Sequence, residues 1–514
     1  ILEMMVNNVE LAAAHPEVLR SAAPLAPKPP VGAAKETAPQ TAAPAVPQKP
    51  KAPEKLETLA NGEVELTLST RGAVVKAAKM LKYAQNPGPL SEKNPALVLD
   101  FGSAPALALE GFAGVEPDAD FTVAEKGTNF IVFANDVVTR RLTLKDGYRI
   151  EAEETFAKPD AAAANRLSLG AVSMGTSKND ILSIHSWDNG GRKPHVVHHG
   201  DDGDSPLKSY LVSISGGCGG RKGAAGLPER SSVDYLGRQD WIAVKNRFFV
   251  SALATCSEPN TGFRATMTRD LTKTDYVLKS VVAEAAFAGV PAKRAYTFYL
   301  GPKKQALLWD LGMKDVMEFG MWRWLCYPLV WVLNLFNSAI PNYGVAIILL
   351  TILVRLLFWP LTHKSTLGMR KMQEIQPLMK EVQRKYKDNP QRLQQETMAL
   401  YREHKVNPLS SCLPMLVQIP VFIALFTVLR AAVELRYAPF LWISDLSEPE
   451  ALFASWFPFG GLNILPLAMA GLTMLQSAFT PSSGDNKQQQ MMMVMMPLMM
   501  LFMFYNFPSA LSLY

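Results

Sequence analysis

The sequence predicts a membrane protein in two parts, a large β sandwich followed by an α-helical transmembrane bundle. Three observations predict it. Residues 56–300 carry short runs in which apolar and polar residues alternate, the pattern of half-buried strands. Beyond residue 340 the apolar residues gather into stretches long enough to cross hydrocarbon, Tyr343–Thr362 foremost. A segment rich in Ala, Pro and Lys precedes both. The averages hide this division. A hydrophobic content of 48% over 514 residues is ordinary for a globular protein, and a net charge of +6 is too small at this length to argue for nucleic acid.

Residues 1–55 lack aromatic residues and read as an extended tether. The β domain is expected over 56–304. Val64, Leu66 and Leu68 alternate, Val138–Phe156 reads as a hairpin turning at Asp146-Gly147, and Trp241–Leu253 and Tyr296–Leu300 are further strand candidates. Residues 305–340 carry Trp309, Trp322, Trp324 and Trp331 and lose charge after Arg323, which predicts an amphipathic helix lying at the headgroup level. Residues 341–514 hold the spans: Tyr343–Thr362, Leu413–Val433, Leu462–Phe479 and Met491–Phe507, with Pro508–Tyr514 opening another.

Between the first two spans, residues 364–408 predict a helical hairpin. Met369, Met372, Ile375, Met379 and Val382 recur at helical spacing, and Asn389-Pro390 supplies an N-cap with proline behind it. Lys364–Lys405 carries ten basic residues against five acidic ones, whereas Glu434–Pro458 carries Arg436 against four acidic residues. The positive-inside rule therefore puts the hairpin in the cytoplasm and the acidic loop outside, and the β domain outside with it. A domain of that size needs an export signal or a span ahead of it, so a further N-terminal span is expected.

Arg355 is the residue that most needs a reason. A central arginine costs a membrane helix about 2.5–3.5 kcal/mol on insertion scales and usually marks a partner or a wet cavity. At about 1.5 Å per residue it lies about 12 Å before His363, too far to snorkel out fully. Thr351, four residues earlier, shares its face. In the hairpin, Arg370, Lys371, Lys380, Arg384 and Lys385 form a basic surface suited to anionic lipid headgroups or ribosomal RNA. Eight of the thirteen residues Met491–Met503 are methionine, Met496 and Met500 among them, and so deformable a wall suits varied apolar partners. His195, His198 and His199 do not make a convincing metal site, and no cofactor is expected. Cys218 and Cys256 are the one cysteine pair in the β-rich region. The sequence contains no P-loop, no G-x-S-x-G and no H-E-x-x-H, so an enzyme is not expected, and no acidic pair within a span that would suggest an ion-coupled transporter.

Several stretches, among them LTILVRLLFWPLT, MQEIQPLMKEVQRKY, NPLSSCLPMLVQIPVFIALF, ELRYAPFLWISDLS and FPSALSLY, resemble the YidC/Oxa-type family of membrane protein insertases. In size, position and its YTFYLGPK exit, the β-rich region is similar to the large periplasmic domain of the Gram-negative members. The resemblance implies an inner-membrane protein with a five-helix core around a hydrophilic groove, and a domain of the supersandwich fold used by sugar enzymes. It implies that Arg355 is the groove arginine, with Thr351, Gln418 and Tyr514 lining the groove. It further implies nascent membrane proteins as clients and the ribosome and the Sec translocon as partners. The residues leave two other functions to weigh: a membrane-anchored carbohydrate-binding protein acting through the β domain, and a transporter or scramblase using the polar stripe.

Overall fold

The computed structural model describes residues 53–102, 104–111, 115–173, 182–187, 195–197, 230–269, 278–387, 389–404, 413–452, 461–479, 495 and 497–514. The tether through residue 52, Cys218, His198, His199 and Met496 lie outside the described residues.

Two antiparallel sheets make the β domain. Along one sheet the strands run in the order Leu56–Ala60, Val64–Ser69, Val74–Ala84, Ala106–Glu110, Asn165–Leu169, Leu278–Phe287, Gly262–Arg269 and Arg230–Leu236. The other runs His195–Val197, Ser183–Trp187, Trp241–Lys245, Phe249–Cys256, Lys293–Pro302, Arg149–Phe156, Val138–Lys145, Phe130–Ala134 and Thr122–Lys126. Leu66, Leu68, Phe133, Ile150, Phe263 and Phe298 are among the buried side chains of the core. Alternation decides the facing: in Arg149–Phe156 every second side chain is buried.

Two local expectations change in detail. The hairpin at Asp146-Gly147 pairs Lys145 with Arg149, so its loop has three residues, with Gly147 at φ 72° and Tyr148 at φ 63°. Trp241–Leu253 is not one strand but a hairpin in its own right. Asn246 Oδ1 accepts from the N–H groups of Phe248 (3.0 Å) and Phe249 (2.8 Å), reversing the chain within the apolar run.

The same alternation that fills the core also places a charge in it. Arg140 lies on the face of Val138 and Leu142, fully buried, directly across from Glu154 in the ladder. Its guanidinium donates to Glu154 Oε1 at 2.8 Å and to the carbonyls of Ala73 (2.8 Å) and Leu107 (2.7 Å) in the opposite sheet. Tyr296 donates its hydroxyl to the same carboxylate oxygen. The cluster pins the two sheets together, since an arginine buried without these partners would not be tolerated.

Residues 305–340 form no single helix. Helix α1 (Gln305–Asp310) stops at Leu311 and Gly312, two short 3-10 turns follow, and α2 (Arg323–Ala339) resumes. Gly312 at φ 71° breaks the expected helix. The first 3-10 turn, Lys314–Met317, is held against the sandwich by Lys245 Nζ, which donates to Val316 O at 3.0 Å. Helix α2 buries Cys326, Leu329, Val330 and Leu333 and exposes Trp324, Trp331 and Leu335, so its outer face is apolar as well.

Helix α3 (Tyr343–Glu374) is the one helix among the described residues long and apolar enough to cross a bilayer. Its burial is inverted relative to a soluble core helix. Within its apolar run the buried side chains are a stripe of Ala346, Ile347, Leu350 and Val354, while Ile352, Leu356, Leu357 and Trp359 are exposed. At 32 residues it is about 48 Å long, well beyond the about 30 Å of hydrocarbon. The hairpin expected to start at residue 364 therefore begins inside this continuous helix. The break falls at Ile375, because Pro377 lacks the N–H that would continue the ladder and restricts the residue before it. Helices α4 (Gln376–Lys385) and α5 (Pro390–Glu403) then form the hairpin, and Asn389 caps α5 by accepting from Arg392 N at 3.1 Å, as expected. Helices α6 (Leu413–Ala431) and α7 (Ile464–Phe479) form within the stretches expected as the second and third spans, though their apolar parts are shorter than that of α3; residues 497–504 are helical, and α8 (Ser509–Leu513) follows.

Candidate functional site

Arg355 on α3, Gln418 on α6 and Tyr514 at the end of α8 belong to three helices that pack against one another. Gln418 on α6 donates its Nε2 to the Tyr514 hydroxyl at 3.0 Å. The Arg355 guanidinium on α3 lies within electrostatic reach of the same hydroxyl. Gln418 and Tyr514 are half-buried and Arg355 is exposed, so a cation, an amide and a phenol share a surface that is otherwise apolar. Thr351 lies one turn before Arg355, but its hydroxyl donates to Ile347 O at 2.8 Å, turned back onto its own helix. Met500 is half-buried against the core cluster, to which Phe422, Phe504 and Phe507 also belong, their rings meeting edge to face.

The five basic residues singled out in the hairpin, Arg370, Lys371, Lys380, Arg384 and Lys385, are all exposed. They lie at the far end of α3 and on α4. The hairpin closes through α4 against α5, where the Tyr401 hydroxyl meets Met379 Sδ at 3.0 Å. No group of His, Cys, Asp or Glu among the described residues is arranged to hold a metal ion, and Cys256 is a free thiol.

At the opposite end of α3 the structure holds a constellation that periodicity does not reveal. Arg247, at the tip of the Asn246 hairpin, has a side chain only 4% exposed and reaches out of the β domain. It donates to Arg430 O at the end of α6 (2.8 Å), to Ser447 O (2.7 Å) and to Glu448 Oε1 (2.6 Å). Arg436 returns the contact by donating to Ala84 O, and Tyr437 donates its hydroxyl to Gln85 O. Glu450 accepts the N–H groups of Ile464 (2.7 Å) and Leu465 (3.0 Å), capping α7, while Ser509 N donates to Glu448 O. The acidic loop thus ties the β domain to α6, α7 and α8. The one signal in the sequence is the polar break Lys245-Asn246-Arg247 inside an apolar run, which marks a turn and says nothing of its partner.

A second cluster fixes the 3-10 segment. Glu318, at φ 56°, pairs with Lys245 (2.5 Å) and His185 Nε2 (2.9 Å), both buried. Burial alone would push its carboxyl up, but Lys245 and His185 outweigh burial and hold it well below the usual carboxylate range.

Residues 335–514 match the family described as 60Kd inner membrane protein, and residues 221–332 match the YidC periplasmic domain. The membrane protein insertase YidC of Prosthecochloris aestuarii is 30% identical over 480 residues, covering 90% of this chain and 80% of that protein. The chain belongs to the YidC family of membrane protein insertases. The YidC of Syntrophobacter fumaroxidans is 44% identical over 283 residues, 53% of this chain, and the match spans 50% of that relative's length. A crystal structure of an active YidC insertase with its first transmembrane domain resolved aligns over 90% of both chains at 18% identity and a TM-score of 0.36. With residues 221–332 matching the YidC periplasmic domain and the family relative aligned over 90% of the chain, the two sheets are the large periplasmic β domain of a YidC-family chain. The carbohydrate-binding alternative is not favoured: the curated relatives are named as insertases, and Glu154 is locked inside the sandwich by Arg140 and Tyr296.

Proposed function

We propose that this chain is a membrane protein insertase of the inner membrane, acting without covalent chemistry. The observation that carries this reading is the hydrogen bond between Gln418 and Tyr514 on a helix surface otherwise suited to lipid, with the charge of Arg355 exposed on the neighbouring helix α3. A client's polar tail crossing about 30 Å of hydrocarbon must be stripped of water, and a polar groove reaching partway in shortens that dehydrated path. Arg355 attracts acidic residues in the tail. The client's apolar segment then slides into lipid past methionine-rich walls, which on this reading include Met496 and Met500. Thr351 contributes a hydroxyl oxygen that still has lone pairs to offer.

On this reading residues 1–55 are a tether, 56–304 the external β domain, 305–340 the interfacial segment and 341–514 a five-helix multi-pass core. The hairpin faces the cytoplasm and meets the ribosome, anionic lipid or ribosomal RNA through Arg370, Lys371, Lys380, Arg384 and Lys385. Nascent membrane proteins are the clients and the Sec translocon a partner. That topology is supported by the β domain and the acidic loop sharing one end of α3 through Arg247 and Arg436, with the basic hairpin at the other.

The test is insertion of a small single-span client with an acidic tail into liposomes carrying the purified protein, read by protease protection. Protection above that of empty liposomes, reduced by Arg355→Ala and largely kept by Arg355→Lys, is expected. Equal protection with the alanine variant would remove the attractive-charge mechanism, and no protection by folded protein would remove autonomous insertion.

A further inference from the structure

We infer that the turn Phe440–Ile443, in the acidic loop after α6, is an anchor that seats Leu441 and Trp442 in the outer lipid leaflet. Its two ends hydrogen-bond each other twice, Phe440 N to Ile443 O at 2.9 Å and Ile443 N to Phe440 O at 2.8 Å, leaving two residues to make the reversal. In such turns a positive φ at the first central position normally calls for glycine, which has no Cβ to crowd the following carbonyl. Here that position is Leu441, at φ 52°. A leucine held in that conformation at the tip of an exposed loop needs an explanation.

Burial sorts the four residues. Ile443 is 2% exposed and Phe440 is packed against the core, whereas Leu441 is 75% and Trp442 48% exposed. The turn therefore offers its two largest unpartnered apolar side chains together. It is also held stiffly from below. Asp445 accepts from Tyr437 N (3.0 Å) and Ser447 N (2.8 Å), and Leu446 N donates to Ala438 O (3.1 Å). A rigid base under a strained apolar tip is the reverse of what a solvated loop requires.

The level of the turn identifies its occupant. The Phe440 ring lies so close over Gly344 that a methyl group there would collide with it. Gly344 is in the first turn of α3, immediately before the apolar run beginning at Val345. The turn thus sits beside the point where α3 enters hydrocarbon, on the side of the β domain. Farther along α3 the exposed surface is itself apolar, with Ile348 and Ile352 37% and 49% exposed. Tryptophan favours this depth, where its ring is desolvated while its N–H still finds a polar partner. A lipid leaflet continuous with the α3 surface fits these facts better than a protein partner, which would need a complementary face at a site already bordered by the membrane.

The inference rests on the membrane reading above, and the experiment separates the two. Cysteines are placed singly at Leu441, Trp442, Leu357 and Leu236 in the chain with Cys218, Cys256, Cys326 and Cys412 replaced by alanine. Each is labelled with an environment-sensitive fluorophore and reconstituted into phosphatidylcholine vesicles doped with nitroxides at a shallow or a deep acyl position. Leu357 on α3 and Leu236 on the β domain are 70% and 90% exposed, so they report hydrocarbon and water respectively. The expected result is loss of fluorescence at 441 and 442 to the shallow nitroxide, at 357 to the deep one, and at 236 to neither. Labels at 441 and 442 that behave like 236 while 357 is quenched would overturn the anchor and leave the membrane reading standing. An unquenched label at 357 would overturn both. Two labelled positions in the turn guard against one substitution disturbing it.

Discussion

Replacing Arg247 with alanine should loosen the Ser447–Glu448 part of the acidic loop from the β domain, with the Arg436 and Tyr437 contacts still in place and the sandwich still folded. The side chain is 4% exposed and makes three charge-assisted contacts, to Arg430 O, Ser447 O and Glu448 Oε1. Removing one member of a buried ion pair costs about 3–5 kcal/mol, because the groups left behind lose their partner without regaining bulk water. The Glu448 side chain is 23% exposed, so water can reach its carboxylate and the lower end applies, about 3 kcal/mol. That corresponds to roughly a hundredfold shift in the equilibrium between docked and released loop. The assay is hydrogen exchange on the protein in bilayer nanodiscs. Amides that bond across the loop, Leu446 N to Ala438 O, Ser509 N to Glu448 O and Ala510 N to Leu446 O, should exchange about a hundredfold faster. Amides in Arg149–Phe156 should not change. Arg247→Lys should recover less than half of the protection, since an ammonium cannot reproduce the planar fork. Unchanged exchange at Leu446, Ser509 and Ala510 in the alanine variant would show that the clamp does not hold the loop.

Three further outcomes follow from the same structure. Glu318→Gln should remove an acid-sensitive step. The carboxyl is depressed in the folded chain, so its stabilising effect is fully present above the ordinary carboxylate pKa and is lost as pH falls through the depressed folded value; wild-type and variant melting temperatures should converge at low pH and separate above about pH 5. The Glu318 side chain is 42% exposed, so the separation should be modest. Glu450→Ala strips the cap from Ile464 N and Leu465 N and should cost about 1 kcal/mol, read as faster exchange confined to the first turn of α7. Arg140→Ala takes the bidentate partner from Glu154, which keeps only the Tyr296 hydroxyl and the more distant Arg294, and leaves the carbonyls of Ala73 and Leu107 without their donor; it should destabilise the β domain by about 3 kcal/mol in denaturant titration, whereas Arg140→Met should cost less when combined with Glu154→Gln.

The sequence by itself determined the division into a β sandwich and apolar helices, because alternation and helical spacing are local patterns that burial on one face must obey. It also determined the Asn389 cap, where a side chain and its target N–H lie three residues apart. Arg355 stood out for the same reason: a charge in an apolar run needs no partner to be noticed. What the tertiary structure decided involves groups far apart in the chain. Arg247 and Glu448 are separated by 201 positions and Gln418 and Tyr514 by 96, and nothing in a window of either sequence names the other. Arg140 follows the strand period faithfully and so reads as a misplaced surface residue until the register sets Glu154 opposite it. The strained turn at Leu441 belongs to the same class, since a residue other than glycine holds such a conformation only where distant residues pack around its turn, and that packing exists only in the folded chain.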